Sequence, residues 1–125
     1  MDLTIDNEWK MLYSHNPKIQ AFAILKNGEI IWVTSNWNNI VDAVSELLDA
    51  PKSARDSVTI GGVEYRRVNS TQESYIATAD KGQGHLLMAL VENGIWAIAW
   101  ATHDSVPDLT ILDLTKSAIQ LMRRL

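Results

Sequence analysis

The chain has 125 residues, a formal net charge of −4 and no cysteine. This length is typical of one globular domain, and we predict a single domain over residues 1–125. The acidic balance argues against a nucleic-acid-binding module, whose domains are usually basic, and the lack of cysteine excludes disulfides, thiolate metal sites and a thiol nucleophile.

The first half of the chain predicts a helix, a β-hairpin and a second helix. Apolar residues recur at helical spacing in Thr4–His15. In Ile19–Thr34, two apolar runs flank an Asn-Gly pair at 27–28, which tolerates the positive φ angles of a hairpin turn. The first of these strands is apolar on both sides, so we expect it to be covered on both faces. Asn38–Asp49 fits the amphipathic template and is expected to stop at Pro51. The residues predicted to share one face of the first strand are Ile19, Ala21, Ala23 and Leu25.

The second half predicts five strands and a closing helix. Short loops join the strands, so the sheet should be antiparallel. Alternating alanines in the last strand predict that a helix packs closely on that face, and Ser105–Leu125 supplies a helix with one apolar stripe. The predicted strands are Val58–Ile60, Val63–Asn69, Glu73–Ala79, His85–Val91 and Ile95–Thr102.

Several local matches, in register along nearly the whole chain, resemble profilin. Trp9 stands where the family has a tryptophan in its N-terminal helix. Ile31–Ser35, with the sequence IWVTS, is similar to the family strand that ends in tryptophan, alanine, threonine or valine, and serine. Val58–Tyr65, with the sequence VTIGGVEY, is similar to the family's leucine-threonine-leucine-glycine-glycine-glutamine-lysine-tyrosine stretch. The matches are loose, which favours a distant, archaeal profilin-like protein over a standard eukaryotic one.

The order of elements and the resemblance together predict an α+β fold. The expected architecture is a profilin-like central antiparallel sheet with the terminal helices on one face and the middle helix on the other. An alternative is a scaffold of the roadblock or longin kind, which has a similar order of elements and binds small GTPases or self-associates. Roadblock-like chains have fewer strands after the middle helix, so the strand count separates the two.

Profilins bind actin monomers, so the resemblance implies an actin or actin-like partner and a role in regulating filament assembly. The implied contact face is formed by the later strands and the C-terminal helix. Glu64 and Asp113 stand where profilins usually have lysine, and Asn69 stands where they usually have arginine. The basic character that complements conventional actin is therefore largely missing, and a cognate actin would need a different surface. The implied contact positions are Glu64, Asn69, Lys81, His85, Leu87, Val106, Leu109, Leu112, Asp113 and Ser117.

Profilins also bind proline-rich segments between their terminal helices, and the resemblance implies such a site at Trp9 and Trp32. Leu12 occupies a position that normally holds tyrosine, and the usual C-terminal tyrosine is absent. Tyr13, one residue further on, is the candidate replacement. Because half of the aromatic set is missing, we expect weak or no binding to plain polyproline.

Nothing in the sequence predicts an enzyme, a metal site or a cofactor. The three histidines lack metal-ligand spacing, and the Gly-Gln-Gly loop at 82–84 lacks the Lys-Ser of a phosphate-binding loop.

The Arg66-Arg67 pair is typical of a solvated strand face, with an anionic phosphoinositide lipid as the alternative ligand. The first ten residues have no apolar run typical of a signal peptide. A cytoplasmic, cytoskeleton-associated protein is therefore expected.

Overall fold

In the computed structural model, which describes residues 3–125, one sheet separates two layers of helix. The two terminal helices are α1 and α3, and a 3₁₀ segment runs directly into the middle helix α2. The elements in chain order are α1 (Thr4–His15), β1 (Ile19–Lys26), β2 (Glu29–Val33), the 3₁₀ segment (Ser35–Ala43), α2 (Val44–Ser53), β3 (Ser57–Ile60), β4 (Val63–Ser70), β5 (Ser74–Ala79), β6 (His85–Glu92), β7 (Ile95–Ala101) and α3 (Pro107–Leu121).

The sheet has the order β2-β1-β7-β6-β5-β4-β3, and every neighbouring pair is antiparallel. The predicted antiparallel sheet and its five strands after the middle helix are confirmed. Asn27 and Gly28 have φ angles of 51° and 84°, the left-handed backbone that a tight hairpin of this twist requires. The chain therefore closes its first hairpin where the Asn-Gly pair predicts it.

Each face of the sheet is covered by its own helical layer. Leu12 of α1 and Leu114 of α3 pack with Phe22 on one side, which we call the terminal-helix face. Ile40 and Leu47 pack on the other side, which we call the α2 face. The alternating alanines of β7 are buried on the terminal-helix face, as predicted, because their small side chains let the helical layer approach the sheet. None of the helices within residues 3–125 is long and apolar enough to cross a membrane.

Three local predictions were wrong. Pro51 does not stop the middle helix: it is buried within α2, which ends at Ala54 in the left-handed conformation. The predicted start at Asn38 falls in the 3₁₀ segment, which has a break at Trp37. Ile19 packs on the terminal-helix face rather than with its predicted partners on the α2 face. A register shift between residues 19 and 21 reverses its side, because one extra residue inverts the alternation of a strand.

The burial of two tyrosines predicts that the protein loses stability at alkaline pH. Burial raises the pKa of the Tyr65 and Tyr75 phenols above their usual value, and the Tyr75 hydroxyl donates to the carbonyl of Arg55. Above about pH 10 the unfolded chain loses these protons while the folded chain keeps them, so the free energy of unfolding falls as pH rises. Urea denaturation at pH 9 to 11 should show a smaller decrease for Tyr75→Phe than for the parent. The exposed Tyr13→Phe is the control, and a decrease unchanged in Tyr75→Phe would contradict the assignment.

Candidate partner-binding surfaces

The N-terminal half of α3 presents large apolar side chains to solvent. Val106, Leu109 and Leu112 are 56%, 63% and 56% exposed, and we call them the α3 stripe. The opposite side of the helix is buried through Leu114 and Ala118, which hold it on the sheet. The stripe contributes little to the core, because these side chains lie off the buried side of the helix. Clustered exposed apolar side chains of this kind are typical of a partner contact.

The outer strand β4 exposes a polar surface beside α3. α3 packs over β6 and β7, so β4 lies beyond the helix on the terminal-helix face. Tyr65 points into the core of the α2 face, and its strand neighbours Glu64 and Arg66 therefore point to the other side. Asn69 is exposed further along the same strand. We call this surface, together with the α3 stripe, the α3–β4 face.

The α3–β4 face carries little free positive charge. Arg66 forms an ion pair with Asp80 and lies 3.9 Å from the Glu64 carboxylate. Lys81 is exposed in the turn between β5 and β6 and forms no ion pair within residues 3–125. Arg66 was not predicted as a member of this face, because the side to which a β4 residue points depends on the sheet partners of β4. The expected lack of strong basic character therefore extends to the folded surface.

Four of the positions implied by the resemblance do not lie on this exposed face. Leu87 is fully buried in the core of the terminal-helix face, so it is wrong as a contact residue. His85 and Ser117 are also buried. Asp113 accepts a hydrogen bond from Asn16 Nδ2 at 3.0 Å, which turns it toward the end of α1. Matching by position assigns a residue to an element but does not show which neighbours cover its side chain.

His85 forms two hydrogen bonds beneath the α3–β4 face. Its Nδ1 lies 2.8 Å from the Thr78 hydroxyl, and its Nε2 lies 3.2 Å from the carbonyl oxygen of His103. These bonds join β5, β6 and the loop that leads into α3. In the same loop the Thr102 hydroxyl donates to Asp104 at 2.5 Å and lowers the pKa of that carboxyl group. Polar contacts therefore fix the loop that leads to Val106, the first residue of the α3 stripe.

A separate aromatic cluster lies where α1 crosses the first hairpin. The Trp9 ring stacks on Phe22 with centroids 5.8 Å apart, and Trp32 meets the edge of Phe22 at 6.0 Å. The Tyr13 ring lies 5.5 Å from Trp9. Trp9 and Trp32 are half-buried, and Phe22, which the sequence analysis did not include, is the buried ring between them. Phe22 could have been predicted as a member of this cluster from its position on the same face of the first strand as Ile24.

An open cavity of about 520 Å³ adjoins this cluster. Trp9 and Tyr13 form one wall, and Thr34 and Asn36 form part of the other. The Asn36 side chain donates to the Gln20 carbonyl at 2.8 Å, which fixes the polar wall. Trp32 is not part of the lining. The structure thus brings the Trp9 and Tyr13 rings together at the cavity, whereas Trp32 contacts Phe22 and lies outside the lining.

The part of the chain that the structure describes holds no group of three or more His, Asp or Glu side chains arranged for a metal ion.

In comparisons with known proteins, the chain is similar in sequence and structure to archaeal proteins. Thor profilin from a Thorarchaeota archaeon is 31% identical over 120 residues, which cover 94% of this chain and 93% of that protein. LokiProfilin1, solved in a complex with rabbit actin, is 25% identical, covers 100% of this chain and 98% of its own, and superposes with a TM-score of 0.88. LokiProfilin2, also solved with rabbit actin, covers all of both chains with a TM-score of 0.91 at 23% identity. No protein-family model matches the sequence.

The roadblock alternative receives weaker support. A Roadblock/LC7 domain from Streptomyces avermitillis superposes with a TM-score of 0.59 at 7% identity, over 91% of this chain and 94% of its own. A likeness at this identity concerns the fold alone. The five strands after the middle helix also exceed the number expected for a roadblock-like chain.

Proposed function

This chain belongs to the profilin family, and we propose that it binds actin monomers through the α3–β4 face and so slows spontaneous filament assembly. The observation that carries the proposal is the α3 stripe, three large apolar side chains that the fold leaves exposed beside the uncovered surface of β4. Two similar proteins, LokiProfilin1 and LokiProfilin2, have been solved in complexes with rabbit actin. An actin-monomer binder acts with the cytoskeleton in the cytoplasm, and we propose that location here.

The composition of the face suits a protein partner. Protein interfaces combine an apolar centre with a polar rim, and a few central side chains supply most of the binding free energy. Leu109 and Leu112 supply the apolar part, Glu64 and Asn69 supply polar groups from β4, and Lys81 supplies one from the turn between β5 and β6. Because Arg66 is already paired with Asp80, the face offers one unpaired cation, Lys81, among these residues. We therefore propose a cognate actin whose contact surface is less acidic than that of conventional actin.

The direct test follows assembly of the cognate actin by light scattering and sedimentation. With this protein in equimolar or higher amounts, assembly should start later and leave more actin in the supernatant, because bound monomers are removed from nucleation. Rabbit actin provides a second partner with a conventional surface. Assembly curves of the cognate actin that do not change at a tenfold excess of this protein would reject the proposal.

Proline-rich ligands are expected to bind weakly, at the aromatic cluster. Trp9 and Tyr13 offer two adjacent rings, whereas Leu12 is buried and supplies no stacking surface. Loss of two aromatic anchors at about 1–2 kcal/mol each would move a micromolar site toward the millimolar range. Titration of tryptophan fluorescence with a proline-rich peptide should therefore saturate only at high peptide concentration. Saturation at low micromolar peptide that Trp9→Ala abolishes would show that the groove is complete.

Binding to an anionic lipid is not expected. Of the Arg66-Arg67 pair, Arg66 is ion-paired with Asp80, whereas Arg67 contacts the Ser70 hydroxyl at 3.5 Å. A basic patch attracts anionic headgroups through its summed charge, and pairing with Asp80 cancels half of this one. Phosphoinositide vesicles should therefore not retain the protein in a flotation assay at physiological salt.

A further inference from the structure

The sheet ends at β3, and side chains rather than a further strand cover this edge. β3 (Ser57–Ile60) pairs with β4 and is the last strand of the sheet within residues 3–125. The Arg67 N–H donates to the Asp56 carbonyl at 2.9 Å, so the backbone groups of every second residue from Asp56 onward point toward β4. The N–H and carbonyl groups of Ser57 and Thr59 therefore point outward, away from the sheet.

Two charged side chains occupy part of this outward edge, Glu46 of α2 and Arg55 of the loop before β3, and we call them the edge clasp. The Thr59 N–H donates to the Glu46 carboxylate at 3.2 Å, and the Arg55 Nε donates to the Ser57 carbonyl at 2.8 Å. The Arg55 Nη2 lies 3.3 Å from the same Glu46 oxygen. The Arg55 and Glu46 side chains are 39% and 31% exposed, so the edge clasp lies at the surface and is not part of the core.

The strand itself lacks the features that usually prevent the pairing of exposed edges. Natural sheets protect an edge with lysine, proline or a β-bulge. β3 has the sequence SVTI, with neither a charge nor a proline, and its pairing with β4 is regular. At the opposite edge of the sheet, a register shift between Ile24 and Leu25 interrupts the pairing of β2. The edge clasp is therefore what distinguishes the β3 edge from an open strand.

We propose that the β3 edge is a self-association surface, on which β3 of a second copy of this chain pairs antiparallel when the edge clasp opens. In this pairing Ser57 lies opposite Thr59 of the second copy, and the two residues exchange both backbone hydrogen bonds. The Thr59 N–H and the Ser57 carbonyl are the donor and the acceptor of one of these bonds, and they are the groups that the edge clasp occupies.

The arrangement of donors and acceptors favours a second copy as the occupant. A two-fold axis through the paired edges brings each outward N–H of one β3 to an outward carbonyl of the other, so the edge is complementary to itself. The outward-pointing residues are a serine and a threonine, which bring no like charges together. This inference does not rest on actin binding, because its tests measure only the association of the chain with itself.

The first test opens the edge clasp and measures self-association by sedimentation equilibrium. Glu46→Ala removes the acceptor of the Thr59 N–H and the ion-pair partner of Arg55. Its dimer should have a Kd roughly tenfold or more below that of the parent, because backbone hydrogen bonds between the copies are no longer blocked. Asp49→Ala is the matched control: the Asp49 carboxylate also lies 3.3 Å from Arg55 but forms no hydrogen bond with β3 in the described chain. Equal association of the two variants would reject the proposal.

The second test locates the contact by hydrogen exchange and distinguishes it from unspecific aggregation. In Glu46→Ala, the amides of Ser57 and Thr59 should exchange more slowly at high protein concentration than at low concentration, because only the dimer protects these outward groups. Adding Thr59→Pro should raise the Kd to at least that of the parent, since it removes an outward N–H and leaves the bonds to β4 in place. Circular dichroism checks that each variant is folded. Exchange at Ser57 that does not depend on protein concentration, or a dimer of the folded double variant as tight as that of Glu46→Ala, would overturn the proposal.

Discussion

Replacing Gly84 with alanine is expected to destabilise the fold by about 3 kcal/mol. Gly84 has a φ of 97°, and a Cβ there would lie 2.6 Å from both the Ala101 carbonyl oxygen and the Trp100 ring. The left-handed backbone costs an alanine about 1 kcal/mol, and overpacking against fixed neighbours costs about 1–3 kcal/mol more. The Trp100 ring cannot easily move away, because its Nε1 donates to the Gln83 carbonyl at 3.1 Å. Urea denaturation of the parent and the variant measures the difference.

Gly62→Ala separates the two causes of this loss. Gly62 has a similar φ of 82°, but no atom lies within 4 Å of the position that its Cβ would take. Only the backbone strain remains, so its expected loss is about 1 kcal/mol. If both substitutions destabilise the protein equally, close packing around Gly84 is not the reason that glycine is needed there.

The strands were predictable because their signals are local. Alternating apolar residues and the Asn-Gly turns depend on neighbours in the chain, and β1, β2 and the five later strands lie within a residue or two of their predicted bounds. The 3₁₀ segment and the helical Pro51 were not predictable, because tertiary packing overrode the local preference of proline. The register shift next to Ile19 likewise depends on β7, a strand far away in the sequence.

The exposed residues of the candidate surfaces were predictable only where the period of a single helix determines which side chains face solvent. Leu109 and Leu112 lie off the buried stripe of α3, so the helical period alone predicts that they face solvent. The burial of Leu87, Ser117 and Glu8 depends on how α1 and α3 pack against each other and on the sheet. Those contacts join residues that are far apart in the chain, such as Asn16 and Asp113, and the sequence pattern carries no signal for them.

Replacing Leu112 with aspartate is expected to weaken binding of the cognate actin by about 1–3 kcal/mol, or roughly fivefold to 150-fold in Kd. The change removes an apolar contact and brings an unpaired charge into a surface that loses water when the complex forms. Leu112 is 56% exposed in the free protein, so the fold and its melting temperature should be nearly unchanged. The readout is the concentration of protein that halves the rate of spontaneous assembly.

Leu48→Asp is the matched control for this prediction. Leu48 is also an exposed leucine on a helix, at 42% exposure, but it belongs to α2 on the opposite face of the sheet. Its substitution adds the same charge and should leave the inhibition of assembly as strong as that of the parent. If both variants lose inhibition equally, the added charge rather than the contact is responsible. If Leu112→Asp inhibits as well as the parent does, actin is not bound through the α3 stripe, and the exposed leucines of α3 must serve a different partner.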